Sequence, residues 1–139
     1  MKQKILFTSL ILLLLLLVSS CNNGYEDCHN TVMLKNNSDV TVYYVSTLKD
    51  GFFNFDPTSE VHAAEYRIAA GESRKVKIGI TLSCWEQVLE NAGGNLYIYV
   101  YDAAYLDSHE WSDAKNSYLK KYSLTVDQLN KMDWEIKYP

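Results

Sequence analysis

The stretch Leu96-Tyr97-Ile98-Tyr99-Val100-Tyr101-Asp102 predicts a central β-strand and decides the fold class. Successive side chains of a strand point to opposite faces, so the aliphatic residues share one face and the tyrosines share the other. Both faces are largely apolar, which means that other parts of the protein must cover both of them. We expect the tyrosines to pack under a helix or a second sheet, with their hydroxyl groups reaching its rim.

Shorter β-patterns precede this strand and predict two hairpins. Residues 31–35 and 40–45 flank Asn36-Asn37-Ser38-Asp39, a cluster with strong turn chemistry. Residues 65–69 and 74–80 flank a second turn that contains Gly71. Residues 134–138 alternate as well and predict a closing strand.

Helical spacing appears in three places. Ser83 and Glu86 predict a capping box that opens a short helix, and Thr125 with Gln128 predicts another. Apolar residues at helical spacing predict a third helix over about residues 110–121. Six or seven short strands with two or three short helices indicate a mainly β fold, an immunoglobulin-like or transthyretin-like β-sandwich.

The beginning of the chain has the pattern of an export signal. Lys2 and Lys4 precede an apolar run over residues 5–18, which is shorter than the roughly 20 residues of a membrane-spanning helix. The run ends in Val18-Ser19-Ser20-Cys21, which matches a lipobox. We therefore predict that residues 1–20 are a lipoprotein signal peptide and that Cys21 carries a lipid. The alternative is a plain secretory signal followed by an ordinary cysteine.

Removal of residues 1–20 leaves a mature chain of one domain's length. We predict a flexible tether over residues 21–29 and a single domain over residues 30–139. The mature chain keeps all 17 acidic residues but loses Lys2 and Lys4 from the 13 basic ones, so it is more acidic than the precursor. An acidic surface of this kind disfavours a nucleic acid as partner.

Two cysteines follow Cys21, and they are candidates for a disulfide. Exported proteins meet oxidising conditions, so a bond between Cys28 and Cys84 is reasonable. The alternatives are two separate thiols and a metal site, and the small number of ligands disfavours the metal site.

Aromatic residues supply the only candidate ligand contacts. Phe52, Phe53 and Phe55 lie close together in a predicted loop over residues 49–62, and Trp111 is a fourth candidate. Aromatic residues in a loop either cap the open end of a core or form a platform for a ligand.

Catalytic chemistry has no recognisable signature in the sequence. It contains no zincin helix motif, nucleophile elbow or phosphate-binding glycine loop. His29, His62 and His109 are scattered, and no two carboxylates are paired for glycoside cleavage. We therefore predict no enzyme activity, no catalytic residues, no metal and no cofactor.

The motifs of the C-terminal half are residues 96–103, Trp111, and residues 118–125, 128–130 and 134–139. In these motifs the chain resembles a group of small, uncharacterised lipoproteins of Bacteroides and related Bacteroidetes. The resemblance covers about residues 30–139 and is most specific from Leu96 onward. It implies an envelope protein of such a bacterium and implies no activity, because the group has no assigned function. Asn22, rather than an aspartate, follows Cys21 and favours the outer membrane, with the periplasmic or surface side left open.

These features together predict a membrane-anchored, non-enzymatic binding or interaction module of the cell envelope, with a protein or glycan partner. One alternative is a periplasm-facing structural lipoprotein that stabilises an envelope complex. A weaker alternative is a hydrolase whose catalytic residues are dispersed in the sequence.

Overall fold

Seven strands in two sheets dominate the computed structural model, which describes residues 28–78 and 84–139. The strands are β1 (Met33–Asn36), β2 (Val42–Thr47), β3 (Arg67–Ile68), β4 (Ser73–Lys75), β5 (Leu96–Asp102), β6 (Lys120–Leu124) and β7 (Glu135–Tyr138). The helices are α1 (Ala63–Tyr66), α2 (Trp85–Asn91), α3 (Ala103–Leu106), α4 (Trp111–Ala114) and α5 (Val126–Lys131). The mainly β prediction is confirmed, and the described part holds five short helices instead of two or three. None of the helices in these two ranges is long and apolar enough to cross a membrane.

The longer sheet has the order β3-β2-β5-β6 and is antiparallel throughout. The shorter sheet has the order β4-β1-β7, with β1 antiparallel to β4 and parallel to β7. β5 therefore lies inside its sheet between β2 and β6, as its two apolar faces predicted.

The aliphatic face of β5 belongs to the main core. Leu96, Ile98 and Val100 are fully buried, together with side chains of the shorter sheet such as Leu34 and Ile136. Tyrosine hydroxyl groups of the neighbouring strands β2 and β6 donate hydrogen bonds to the shorter sheet. Tyr44 Oη donates to the carbonyl of Lys75 at 2.9 Å, and Tyr122 Oη donates to the carbonyl of Lys137 at 2.9 Å. The two sheets are thus joined by hydrogen bonds as well as by apolar contacts.

The tyrosine face of β5 is covered by loop and helix residues, as expected. Tyr101 Oη donates to the carbonyl of Lys115 at 2.8 Å, and Tyr99 Oη donates to Asp50 Oδ1 at 2.5 Å. Burial is the main reason why the pKa of each tyrosine is raised. These hydroxyl groups stay protonated and act as fixed donors at neutral pH.

Both predicted hairpins are wrong. β1 and β2 lie in different sheets, and so do β3 and β4. The buried Asn36 explains the arrangement, because its Nδ2 donates to the carbonyls of Val40 and Ile68 at 2.7 and 3.1 Å. Gly71, at φ +77°, donates its N–H to the carbonyl of Asn36 at 2.8 Å. Each turn therefore connects a strand of one sheet to a strand of the other, and the two turns are hydrogen-bonded to each other.

The predicted helix over 110–121 is wrong in its second half, since α4 ends at Ala114 and β6 begins at Lys120. Tyr122 and Leu124 also fit a two-residue period, and they lie opposite Ile98 and Leu96 of β5. Pairing with the central strand satisfies the backbone of this segment, so it overrides the helical spacing.

The predicted strand over 65–69 begins as helix instead, because α1 runs to Tyr66 and only Arg67 and Ile68 form β3. The strand predicted over 74–80 is shorter, since β4 ends at Lys75, and residues 79 and 80 lie outside the described ranges.

Helix α2 begins with Cys84 at its N-cap. The predicted N-cap, Ser83, lies outside the described residues, and the Glu86 side chain bonds to a distant segment. The capping box of Thr125 and Gln128 is confirmed in both of its hydrogen bonds.

Candidate functional site

An open groove of about 450 Å³ lies beside the 49–62 loop, and we call it the loop groove. It is bounded by the end of β2, by Phe52 and Phe55 of the loop, and by His62 and Tyr66 at α1. Its polar lining includes Asn54. The loop groove thus combines aromatic rings with hydrogen-bonding side chains, which is the composition of a small-ligand site.

One wall of the loop groove is a packed aromatic cluster. The Phe55 ring lies 4.5 Å from the buried Tyr66 ring and 5.0 Å from the His62 ring, between centroids. The Tyr66 ring in turn packs 5.2 Å from Tyr44 of β2. Contact with the sheet holds this wall in place, so a ligand would meet a preformed surface.

Another lining residue of the loop groove, Phe52, is exposed. Phe52 keeps 51 % of its surface in contact with solvent, and the Lys49 ammonium lies 6.0 Å from its ring centroid. When a ligand covers an exposed phenylalanine beside a concave surface, the burial of the ring contributes favourably to the free energy of binding.

The other two candidate aromatics, Phe53 and Trp111, lie in a different cluster. The Phe53 ring is 4.8 Å from Tyr99 and 5.9 Å from Trp111, and Trp111 is 5.4 Å from Tyr101. Phe53 and Trp111 are half-buried against the core and cover the tyrosine face of β5. The structure therefore brings Phe52 and Phe55 to the loop groove and places Phe53 and Trp111 in a capping position.

An ion pair ties the start of the 49–62 loop to the sheet. Lys121 Nζ of β6 lies 2.6 Å from Asp50 Oδ1, and the N–H of Gly51 donates to Tyr99 Oη at 2.7 Å. Hydrogen bonds from Lys121 and then from Tyr99 hold the pKa of Asp50 below its ordinary value. The role of Lys121 could not be predicted from the sequence, because it depends on the β5–β6 register that places Lys121 opposite Tyr99.

A larger concavity of about 500 Å³ lies near β3 and is a weaker candidate. Its charged lining residues already have partners, since Arg67 pairs with Asp107 at 3.2 Å and Arg74 pairs with Glu72 at 3.4 Å. A ligand would have to compete with these ion pairs.

A second group of reactive side chains lies where the chain joins the domain. Cys28, His29, Cys84 and Glu86 form this group, which we call the cysteine cluster. The two sulfur atoms and a Glu86 carboxylate oxygen lie within 4.8 Å of one another. Cys84 Sγ donates to Glu86 Oε2 at 3.1 Å, and the Cys28 thiol is hydrogen-bonded to Cys84. This bond, followed by burial and the nearby Glu86 charge, raises the pKa of Cys28 to about 11.

Glu86 is the centre of the cysteine cluster and is only 7 % exposed. Its Oε2 accepts from the backbone N–H of His29 at 2.9 Å, and its Oε1 lies 2.5 Å from His29 Nδ1. Burial by itself would raise the pKa of Glu86, but the hydrogen bonds from His29 and Cys84 outweigh it. The pKa of Glu86 therefore lies below its ordinary value of 4.5.

Trp134 packs on His29 of the cysteine cluster. Its ring stacks on the His29 ring at 4.2 Å between centroids. Trp134 has a φ of +58°, a conformation that costs a bulky residue on the order of 1 kcal/mol or more. Hydrogen bonds from Trp134 N to the Leu129 carbonyl at 2.9 Å and from Nε1 to Asn130 at 2.8 Å hold it there. His29, which the sequence placed in the tether, is thus fixed by two separate elements.

We expect Glu86→Gln to lower stability at neutral pH by about 1–3 kcal/mol, because the buried carboxylate loses its charge and an amide cannot accept as many hydrogen bonds. A carboxylate with a lowered folded-state pKa contributes stability above its unfolded-state pKa and loses that contribution as the pH falls through the folded-state value. The difference between wild type and variant should therefore shrink below about pH 4.5. Urea unfolding between pH 3 and pH 7 measures it. Glu60→Gln, at an exposed loop position, is the control, and equal losses in the two variants would contradict the expectation.

No protein-family model matches the chain, and neither a curated protein nor a solved structure matches it.

Proposed function

We propose that the protein is a lipid-anchored, non-enzymatic binding module of the cell envelope and that the loop groove is its binding site. The observation that carries the binding site is the half-exposed Phe52 ring in the same groove as the packed rings of Phe55 and Tyr66. The lipobox ending at Cys21 supports the anchor, Asn22 after it supports the outer membrane, and the resemblance to Bacteroidetes lipoproteins supports a place in the cell envelope.

A glycan fits the loop groove better than a protein partner. Sugar rings present C–H faces that pack on aromatic rings, and their hydroxyl groups can bond to polar side chains such as Asn54 and Lys49. A volume of about 450 Å³ lies in the range of small-ligand sites. A stable protein interface instead needs about 800 Å² on each partner.

We also infer that the two sheets form a β-sandwich. The hydrogen bonds of Tyr44 and Tyr122 to the shorter sheet and the shared core support this arrangement. The division into four and three strands equals that of an immunoglobulin constant-type domain, whereas the parallel β1–β7 pair departs from its antiparallel sheets. The immunoglobulin-like and transthyretin-like assignments stay predictions.

Phe52→Ala is the variant that tests the binding site. Retention of the purified lipoprotein on immobilised bacterial and host polysaccharides should fall about three- to tenfold, because a ligand can cover only the exposed half of Phe52 and complete burial of a phenylalanine contributes about 1.5–3 kcal/mol. The melting temperature should stay unchanged, since Phe52 is exposed.

Val61→Ala is the matched control, because Val61 is 81 % exposed in the same loop but does not line the loop groove. Equal retention of wild type, Phe52→Ala and Val61→Ala would exclude the loop groove as the glycan site. Failure of the wild type to retain any polysaccharide would remove the glycan proposal itself.

The same purification separates the alternatives. A structural lipoprotein would bring a protein partner from the membrane and retain no sugar. A hydrolase with a dispersed site would shorten the polysaccharide that it meets. Protease treatment of intact and lysed cells assigns the side of the membrane, since a surface domain is cut in intact cells and a periplasmic one only after lysis.

A further inference from the structure

The cysteine cluster joins the first described residues of the chain to the first turn of α2. We propose that Cys28 and Cys84 form a disulfide in the exported protein. This bond fastens the predicted tether over residues 21–29 to the domain. The sequence left this pairing open among several alternatives, and the geometry of the cluster favours one of them.

Two hydrogen bonds of the neighbouring residues hold the cysteines close to each other, and neither bond involves a sulfur atom. The N–H of Trp85 donates to the carbonyl of His29 at 2.8 Å, while the N–H of His29 donates to Glu86 Oε2 at 2.9 Å. His29 is therefore bonded in both directions to the start of α2, and each cysteine is the neighbour of a bonded residue. The stack of His29 on Trp134 adds a third constraint. This preorganisation lowers the entropy that bond formation would otherwise cost.

The two thiols differ in exposure, which assigns their roles in oxidation. Cys28 is exposed, whereas Cys84 is 5 % exposed and is aimed at Glu86. An oxidant that carries an exchangeable disulfide can reach Cys28. The Cys28 thiol loses its proton and its sulfur attacks that disulfide, which forms a mixed disulfide and releases one thiol of the oxidant.

Cys84 then completes the reaction. Its proton leaves past the Glu86 carboxylate to solvent, and its sulfur attacks Cys28 Sγ and displaces the second thiol of the oxidant. The two cysteines have lost two protons and two electrons, and the oxidant has gained them as a dithiol. The raised pKa of Cys28 slows the first step.

The alternative to a disulfide is a divalent metal ion bound by the same side chains. Two thiolates and one carboxylate give three ligands, but the Glu86 oxygens already accept from the backbone and ring of His29. A metal would have to break these contacts, whereas a disulfide needs only the two sulfur atoms. An exported protein also meets conditions that favour disulfides.

The bond would also shorten the tether. Seven peptide units separate Cys21 from Cys28, so the fastened segment spans at most about 25 Å. This consequence rests on the proposed lipid anchor, and the disulfide itself does not.

Thiol labelling of the full-length lipoprotein from envelopes tests the proposal. The protein is denatured in the presence of a maleimide reagent, before and after reduction. We expect neither Cys28 nor Cys84 to be labelled before reduction, both to be labelled after it, and a peptide pair joining Cys28 to Cys84 in the unreduced digest. Reductant should lower the urea midpoint of the wild type and leave that of a Cys28→Ser and Cys84→Ser double variant unchanged.

Labelling of both Cys28 and Cys84 without reduction would overturn the disulfide, and so would one bound zinc per chain in protein exposed to zinc alone as the probe. Lipid attachment is scored separately by the mass of the N-terminal peptide. A missing lipid with an intact disulfide would reject the anchor and leave the disulfide standing, and the reverse result would reject only the disulfide.

Discussion

Replacing Cys21 by serine should abolish lipid labelling of the protein, because the thiol of Cys21 is the predicted attachment point. Cells fed an alkyne fatty acid should label the wild type and leave Cys21→Ser unlabelled. One acyl chain binds a membrane with a partition constant of about 10⁴ M⁻¹, and a second chain raises this to roughly 10⁸ M⁻¹ if the contributions add. Loss of the lipid therefore has the largest effect expected of any single change in this chain.

Cys28→Ser is the matched control, since Cys28 is the next cysteine along the chain. This substitution should leave the lipid labelling intact. The mass of each purified variant shows whether residues 1–20 have been removed, which separates a missing lipid from an uncleaved precursor. If the label persists in Cys21→Ser and disappears in Cys28→Ser, the lipobox prediction is wrong.

The content of strands could be predicted, but the pairing of strands could not. β5 was identified because three tyrosines alternate with three aliphatic residues, and alternation reports burial on two faces directly. The same alternation does not say which strand lies alongside. The turn at residues 36–39 has the composition of a hairpin, yet the Asn36 side chain bonds to Ile68, 32 residues away, and directs the chain into the other sheet.

Only part of the candidate site could be predicted from the sequence, for a similar reason. Phe52 and Phe53 are neighbours of one residue type, but one is exposed at the loop groove and the other packs on Tyr99. Their roles depend on how Asp50 is tied to Lys121 across the sheet.

The cysteine pair was a candidate because only two cysteines follow Cys21. Glu86 was assigned to a capping box and His29 to the tether, since each fits a local pattern. Their contact joins residues 57 positions apart, and such a contact leaves no trace in local spacing.

Leu34→Ala should lower the free energy of unfolding by about 2–5 kcal/mol, which is the range for a buried leucine replaced by alanine. Leu34 is fully buried in the middle strand of the shorter sheet, opposite Arg74 of β4 and Ile136 of β7. The lost methyl groups leave a cavity in the core, because the surrounding side chains relax only partially into such a space. A small domain has only about 5–15 kcal/mol in total, so this loss is large. Urea unfolding followed by tryptophan fluorescence measures it.

Leu119→Ala is the matched control because it removes the same atoms from a side chain that is 52 % exposed. The backbone hydrogen bond from Leu119 N to the Val100 carbonyl at 2.7 Å survives the change. Its effect should stay within about 0.5 kcal/mol. If Leu34→Ala costs no more than Leu119→Ala, then β1 does not pack in the core between the sheets. Because β1 also joins β4 to β7, the arrangement of the whole shorter sheet would then be wrong.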